Sequence, residues 1–266
     1  MSGFVREFSG FSGLTSVDSV TVNVPGTIPL GDSFVAAVTI LDAGIPISSI
    51  SASDTKGNIW TCIHSAALTG STSTTGHLLY AVVTTALTIA DTITFTYPNF
   101  ANRSAITIAQ FNDVLTPDQY ATGDNGGVAT TILVTPATAT TSQANELIFG
   151  AWHMLNSGRV FTATNAFTGL TKVLSNGASG NRAVVGEHKY VSSAGTYTAN
   201  GTFDVSGSAI GMVQTFVTSV YVSRSGNAKV WDGGAWTLHP AKVWDGASWI
   251  NHPMKGWDGS NWIDAK

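Results

Sequence analysis

One order of alternating segments occurs twice along this chain, and that repetition limits what it can fold into more than any single motif does. In the first half PLGDSFVAAV (29–38) precedes GNIWT, HLLYAV, DTITFTY and SAITIAQF. In the second half TSQANELIFGAW (141–152) precedes GLTKV, RAVVGEHKY, GTYTANGTFDV and SAIGMVQTF. Val20, Val22 and Val24 alternate with polar residues, as do Ile93, Phe95 and Tyr97 with Thr, which is the period of a half-buried antiparallel strand. Other runs, such as SFVAAVTI (33–40) and NELIFGAWHM (145–154), are apolar on both sides, as strands covered on two faces are. Regular short strands with turn material between them predict an all-β chain of two similar antiparallel β-sandwich units, jelly-roll or Ig-like. The units span 14–115 and 124–223, after an N-terminal segment 1–13 and around a linker 116–123 in the polar stretch TPDQYATGDNGG. Gln110 and Gln214 take matching places in SAITIAQF and SAIGMVQTF. Two tandem sandwiches and two halves of one larger double-sheet fold both fit this pattern.

The last residues follow a different rule. Six of the eight tryptophans fall within the final 36 residues, where WDG followed by a second Trp recurs three times. Trp231, Trp244 and Trp257 keep a period of 13, as do Trp236, Trp249 and Trp262. Asp232-Gly233, Asp245-Gly246 and Asp258-Gly259 recur with them, each preceded by Lys229, Lys242 or Lys255. Asp-Gly favours a tight turn, because Gly tolerates positive φ and the Asp side chain bonds the backbone ahead of it. Each copy over 224–266 is therefore expected to be a short β-hairpin whose two Trp face each other. His239-Pro240 and His252-Pro253 are expected as spacers between hairpins. A two-stranded hairpin is marginal alone in water, so these must lean on one another, on the sandwiches or on neighbouring chains. The six Trp are thus candidate assembly or ligand-contact residues.

Charge narrows the partners. Charged residues make up only 11% of the chain, the formal net charge is −4, and no Lys/Arg run would neutralise a row of phosphates, so nucleic acid is not an expected partner. No run approaches the ~20 apolar residues of a membrane span, so membrane insertion is not expected. MSGFVREFSGFSG lacks the basic region and apolar core of a secretion signal. Cys62 is the single cysteine and has no internal disulfide partner.

Tandem WDG-x-x-W phrases at the C-terminal end, after a Gly-, Ser- and Thr-rich β region, resemble the C-terminal repeats of minor tail and other virion proteins of siphoviruses infecting actinobacteria. The pattern of GNIWT, a short strand and TITFTY also resembles β-sandwich modules of such proteins. The resemblance implies a virion location, synthesis in the host cytoplasm, other virion proteins as partners, a homo-oligomeric state and contact with host-envelope glycan. A minor tail or tail-tip protein is the first reading. A capsid decoration or head-fibre protein and a carbohydrate-binding module are the alternatives, and no catalytic residue is carried over.

A search for chemistry yields little. The six His include no H-E-x-x-H and no helical ligand spacing, and the period of 13 explains His239 and His252. There is no G-x-S-x-G elbow and no phosphate-binding Gly loop ahead of a helix. A depolymerase would have to bring two acids within ~5–10 Å, with Glu146, Glu187, Asp91 and Asp204 as the available residues. In WTCIH the alternation points Cys62 into the core and sets His64 on the same strand face, which would allow a thiol–imidazole pair. The chain is read as non-enzymatic, with no cofactor or metal expected.

Overall fold

The computed structural model describes residues 3–13, 17–41, 50–69, 74–101, 103–125, 130–155, 158–175 and 182–218, and six short strands within 227–264. Every regular element among them is a β-strand. Met1–Thr218 form one compact unit and Ser219–Lys266 a second.

The first half of the larger unit contributes β1 (Phe4–Ser12), β2 (Val17–Asn23), β3 (Ser33–Leu41), β4 (Ser51–Asp54), β5 (Trp60–Ala67), β6 (Thr74–Val82), β7 (Thr92–Ala101) and β8 (Arg103–Phe111). Their order is β1-β8-β3-β6-β5 in one sheet and β2-β7-β4 in another, all neighbours antiparallel. The interleaved order is the winding of a jelly roll, with its fifth strand hydrogen-bonded to β6 instead of β4. The second half contributes β9 (Val114–Asp124), β10 (Thr130–Val134), β11 (Glu146–Met154), β12 (Phe161–Ala163), β13 (Thr168–Gly169), β14 (Val173–Leu174), β15 (Ala183–Val191), β16 (Asn200–Gly207) and β17 (Ala209–Thr218). These run β13-β15-β11-β17-β9, with β14 also on β15, and β10-β16-β12. Strand for strand this is the same winding, with β13 and β14 together taking the place of β5.

The two halves form one body of four stacked sheets. Val22, Phe95, Phe34 and Ile108 belong to the core between the β2-β7-β4 sheet and the five-stranded sheet. Leu133, Phe203, Ile148 and Trp152 fill the corresponding space of the second half. Between the two large sheets lies a third apolar layer that includes Val35, Leu78, Phe111, Phe149, Met212 and Phe216. The central strands are therefore covered on both faces, which is why β3, β8, β11 and β17 carry apolar residues on both sides instead of alternating with polar ones. Of the two arrangements that the sequence allows, the chain adopts the joined halves.

Three expectations need correction. Residues 116–123 are not a linker but lie inside β9, which pairs along β17. An edge strand has to bury only one side, and Pro117 sits beside a register shift where its missing N–H is tolerated. The N-terminal segment is not separate either, because Phe4–Ser12 is the edge strand along β8. Finally, Gln110 and Gln214 do not match. Gln110 turns into the first sandwich and donates to Asp32 Oδ2 at 2.5 Å, whereas Gln214 faces the layer between the halves and meets His64. A slip of one residue between the duplicated strands turns every side chain to the opposite face.

In the smaller unit, β18 (Asn227–Trp231) pairs with β19 (Trp236–Pro240), β20 (Lys242–Trp244) with β21 (Trp249–Asn251), and β22 (Lys255–Trp257) with β23 (Trp262–Asp264). Each pair is a two-stranded antiparallel sheet, as the repeats led us to expect.

Candidate functional site

The three hairpins share one register. Trp231 stands opposite Trp236, Trp244 opposite Trp249, and Trp257 opposite Trp262. Two positions away in the same alternation are Lys229 opposite Leu238, Lys242 opposite Asn251, and Lys255 opposite Asp264. The intervening positions pair Val230 with Thr237, Val243 with Ile250 and Gly256 with Ile263. Each hairpin thus repeats a Trp–Trp row and a Lys-containing row on one parity and a largely aliphatic row on the other. Asp232, Gly233, Asp245, Gly246, Asp258 and Gly259 lie outside the described residues. His239 and Pro240 are the last paired residues of β19, opposite Ala228 and Asn227, and not a spacer. His252-Pro253 lies outside the described residues.

One end of the first sandwich is closed by a polar staple of hydrogen bonds. The Asp54 carboxylate accepts from Lys56 N, Asn58 N, Asn58 Nδ2 and Trp60 Nε1, around a turn that needs Gly57 at φ 76°. The Asn58 carboxamide then ties this turn to the β6–β7 connection, accepting from Thr84 N and Thr85 N and donating to Thr85 O. Asp91 accepts from Thr55 Oγ1 at 2.6 Å and from Thr88 N and Thr88 Oγ1, and pairs with Lys56 at 3.4 Å. Those bonds, led by Thr55, hold its carboxyl down at about 2. The staple presents Ile59 and Ile89 to solvent at 79% and 75% exposure.

The proposed acids do not converge. Glu146 lies opposite Val191 and Glu187 opposite Gly150, four positions apart along β15, or about 13 Å. Asp91 belongs to the first sandwich, and Asp204 accepts from Val160 N and Val205 N at the rim of the second. Glu187 is fully buried, where Oε1 accepts from Trp152 Nε1 at 3.1 Å and Asn200 N at 3.0 Å. Burial raises its carboxyl to about 8, so it is neutral at physiological pH.

Nor do Cys62 and His64 share a face. A register shift between them turns Cys62 toward the first sandwich core and His64 toward Gln214, with Nε2 at 2.6 Å from Gln214 Oε1. The thiol's neighbours are His64 O and Ser65 Oγ, both at 3.5 Å, and burial raises its pKa. Ser65 Oγ instead meets His77 Nδ1 at 2.8 Å, with Thr75 Oγ1 at Nε2. Burial lowers that imidazole to about 4, which makes it a weak base at neutral pH. Among the described residues no group of three His, Cys, Asp or Glu converges as metal ligands would.

Sequence reasoning missed two groupings. Glu146, fully buried, lies against Asp118 and Thr215 with neither oxygen in a well-formed hydrogen bond. Burial first, and Asp118 beside it, raise Glu146 to about 7. Asp118 is itself desolvated, but hydrogen bonds led by Ser142 N draw it down overall. The second grouping is histidine in the layer between the halves: His64 against Gln214, His153 against Thr39, and His188 against Phe4. The loop-like composition of TPDQYATGD conceals Asp118. The histidines show only as polar residues inside apolar strands such as NELIFGAWHM.

No protein-family model matches this chain, and neither the curated proteins nor the solved structures include a match to it.

Proposed function

We propose that this chain is a non-enzymatic structural protein of a bacteriophage particle, a minor tail or tail-tip component. In this reading the four-sheet body is the scaffold and the Trp hairpins are the assembly element. The observation that carries it is the register repeated three times: Trp231–Trp236, Trp244–Trp249 and Trp257–Trp262 are cross-strand pairs in sheets of only two strands. Two-stranded sheets need further cover to be stable in water, and neighbouring virion subunits, including further copies of this chain, would supply it. The WDG-x-x-W phrase and its resemblance to siphovirus tail proteins support a tail location. Contact with host-envelope glycan fits the same residues, since Trp is well suited to present an apolar ring beside a polar edge.

Deletion of 219–266 tests the assembly role. The truncated chain is expected to keep its β-sheet circular dichroism and cooperative melting but to be missing from purified particles. Unchanged incorporation would reject that role. Trp236→Ala and Trp249→Ala separate glycan contact from packing: loss of cell-wall retention with an unchanged oligomeric state supports glycan contact, and retention equal to wild type excludes it. A capsid decoration or head-fibre protein would show the same deletion phenotype with label on the head.

A further inference from the structure

The layer joining the two sandwiches holds three of the four histidines within residues 1–218. Its apolar residues are interrupted at three places by imidazoles, one from each of β5, β11 and β15. His153 is fully buried, packed over Gly76 of β6, with Nδ1 2.9 Å from Thr39 Oγ1 and no partner for Nε2. Thr39 Oγ1 donates to Ala183 O at 3.1 Å, so the same hydroxyl fixes β3 to β15 across the joint. His188 stacks on Phe4 at 4.7 Å and meets Phe111 edge-on at 5.7 Å, with neither ring nitrogen hydrogen-bonded. His64 stacks on Tyr120 at 3.8 Å and uses Nε2 on Gln214.

The groups facing these rings offer little to a cation. Around His153 they are Thr39, the Val38 carbonyl, which favours the cation, and, electrostatically, His77, which opposes it; burial outweighs the carbonyl. Arg182 donates to Leu155 O two residues along from His153, so that corner already carries a positive charge. Around His64 they are Gln214 and Tyr120. Near His188 the acid is Glu7, whose carboxylate is engaged by Thr171 N. Asp113 on the same layer accepts from Tyr190 OH at 2.9 Å. A protonated imidazole must satisfy two N–H donors, and an unpaired buried charge is expensive.

We propose that the joint between the two sandwiches is acid-labile: protonation of His64, His153 and His188 parts the two large sheets while each sandwich keeps its own core. All three rings are lowered from 6.5 by burial, His153 to about 3 and His188 to about 4. Because the parted state binds these protons more readily, the closed joint loses stability as pH falls below 6.5. The second sandwich responds in the opposite sense. Glu187, raised to about 8 inside it, is neutral in place and is favoured by acid. His77 lies on the first sandwich's own side and has a hydroxyl partner at each ring nitrogen.

The test is pulsed electron–electron spin-label distance measurement on the full chain carrying Ser53→Cys and Ile132→Cys, one on each outer sheet, with Cys62→Ala. Four stacked sheets put the labels about 30 Å apart at pH 7.5, from three spacings of ~10 Å. Between pH 6 and 4 the distribution is expected to lengthen and broaden while β-sheet circular dichroism is retained. Adding His64→Gln, His153→Asn and His188→Leu is expected to move the midpoint down by about one pH unit or more. If that combination does not fold, His188→Leu alone serves, with a smaller shift in the same direction. An unchanged distance down to pH 4, loss of distance and β signal in one transition, or a midpoint indifferent to the substitutions would each overturn the proposal.

Discussion

Trp231 and Trp236 are cross-strand partners separated by four residues, and the same relationship recurs at Trp244 with Trp249 and at Trp257 with Trp262. A cross-strand aromatic pair contributes roughly 0.5–1.5 kcal/mol beyond the area it buries, a large share of what holds so short a hairpin. Trp236→Ala is expected to raise amide hydrogen exchange across Asn227–Trp231 and Trp236–Pro240 with little change within Phe4–Thr218. Equal protection of the hairpin in wild type and variant would remove the Trp pair as its clasp.

Gly76 and His153 should be energetically coupled across the joint. A Cβ built on Gly76 would stand 2.5 Å from His153 Cδ2 and Cγ. Gly76→Ala is expected to cost roughly 1–3 kcal/mol in urea unfolding. In a His153→Ala background most of that cost should disappear, because the clashing ring is gone. Equal costs in the two backgrounds would show that strain elsewhere dominates.

Ala166 carries a removable strain. Its φ of 63° is left-handed, in a turn closed by Phe167 N donating to Thr164 O at 3.1 Å. That conformation costs an L-residue about 1 kcal/mol and glycine almost nothing. Net of the added freedom of the unfolded chain, Ala166→Gly is expected to stabilise by roughly 0.5 kcal/mol, read as a raised Tm. A lowered Tm would contradict the strain.

The pH dependence of stability should pass through a maximum. The unfolded chain releases the Glu187 proton near 4.5 and the folded chain near 8, so stability falls as pH rises through that window. His153 and His188 act below 6.5, where stability falls as pH falls. The maximum is expected between about 4.5 and 6.5, the ordinary carboxyl and imidazole values. Glu187→Gln retains an oxygen for Trp152 Nε1 and Asn200 N. It should stabilise by roughly 1–3 kcal/mol at pH 8 relative to pH 5. An identical effect at both pH values would mean that Glu187 ionises normally in place.

Much of the fold is legible in the sequence because strand alternation and duplication are local signals. Val20, Val22 and Val24 lie on the core side as alternation requires, and the repeated segments take equivalent places in the two windings. What was not legible depends on contacts distant in the chain. Pro117 and Asp118 mark a loop by composition, and only the neighbouring β17 makes them an edge strand. The slip that separates Gln110 from Gln214, and the shift that separates Cys62 from His64, are single-residue events that alternation cannot reveal. The Trp pairing is readable because two Trp flank an Asp-Gly turn at the same spacing in all three copies, which is a local signal.

The proposed place at the tail of a phage particle can be imaged. Gold-labelled antibody against Met1–Thr218, applied to intact purified particles and viewed by electron microscopy, tests it most directly. The account predicts label at the tail or tail tip of each particle. Particles without label anywhere, from a preparation in which the chain is expressed, would contradict it.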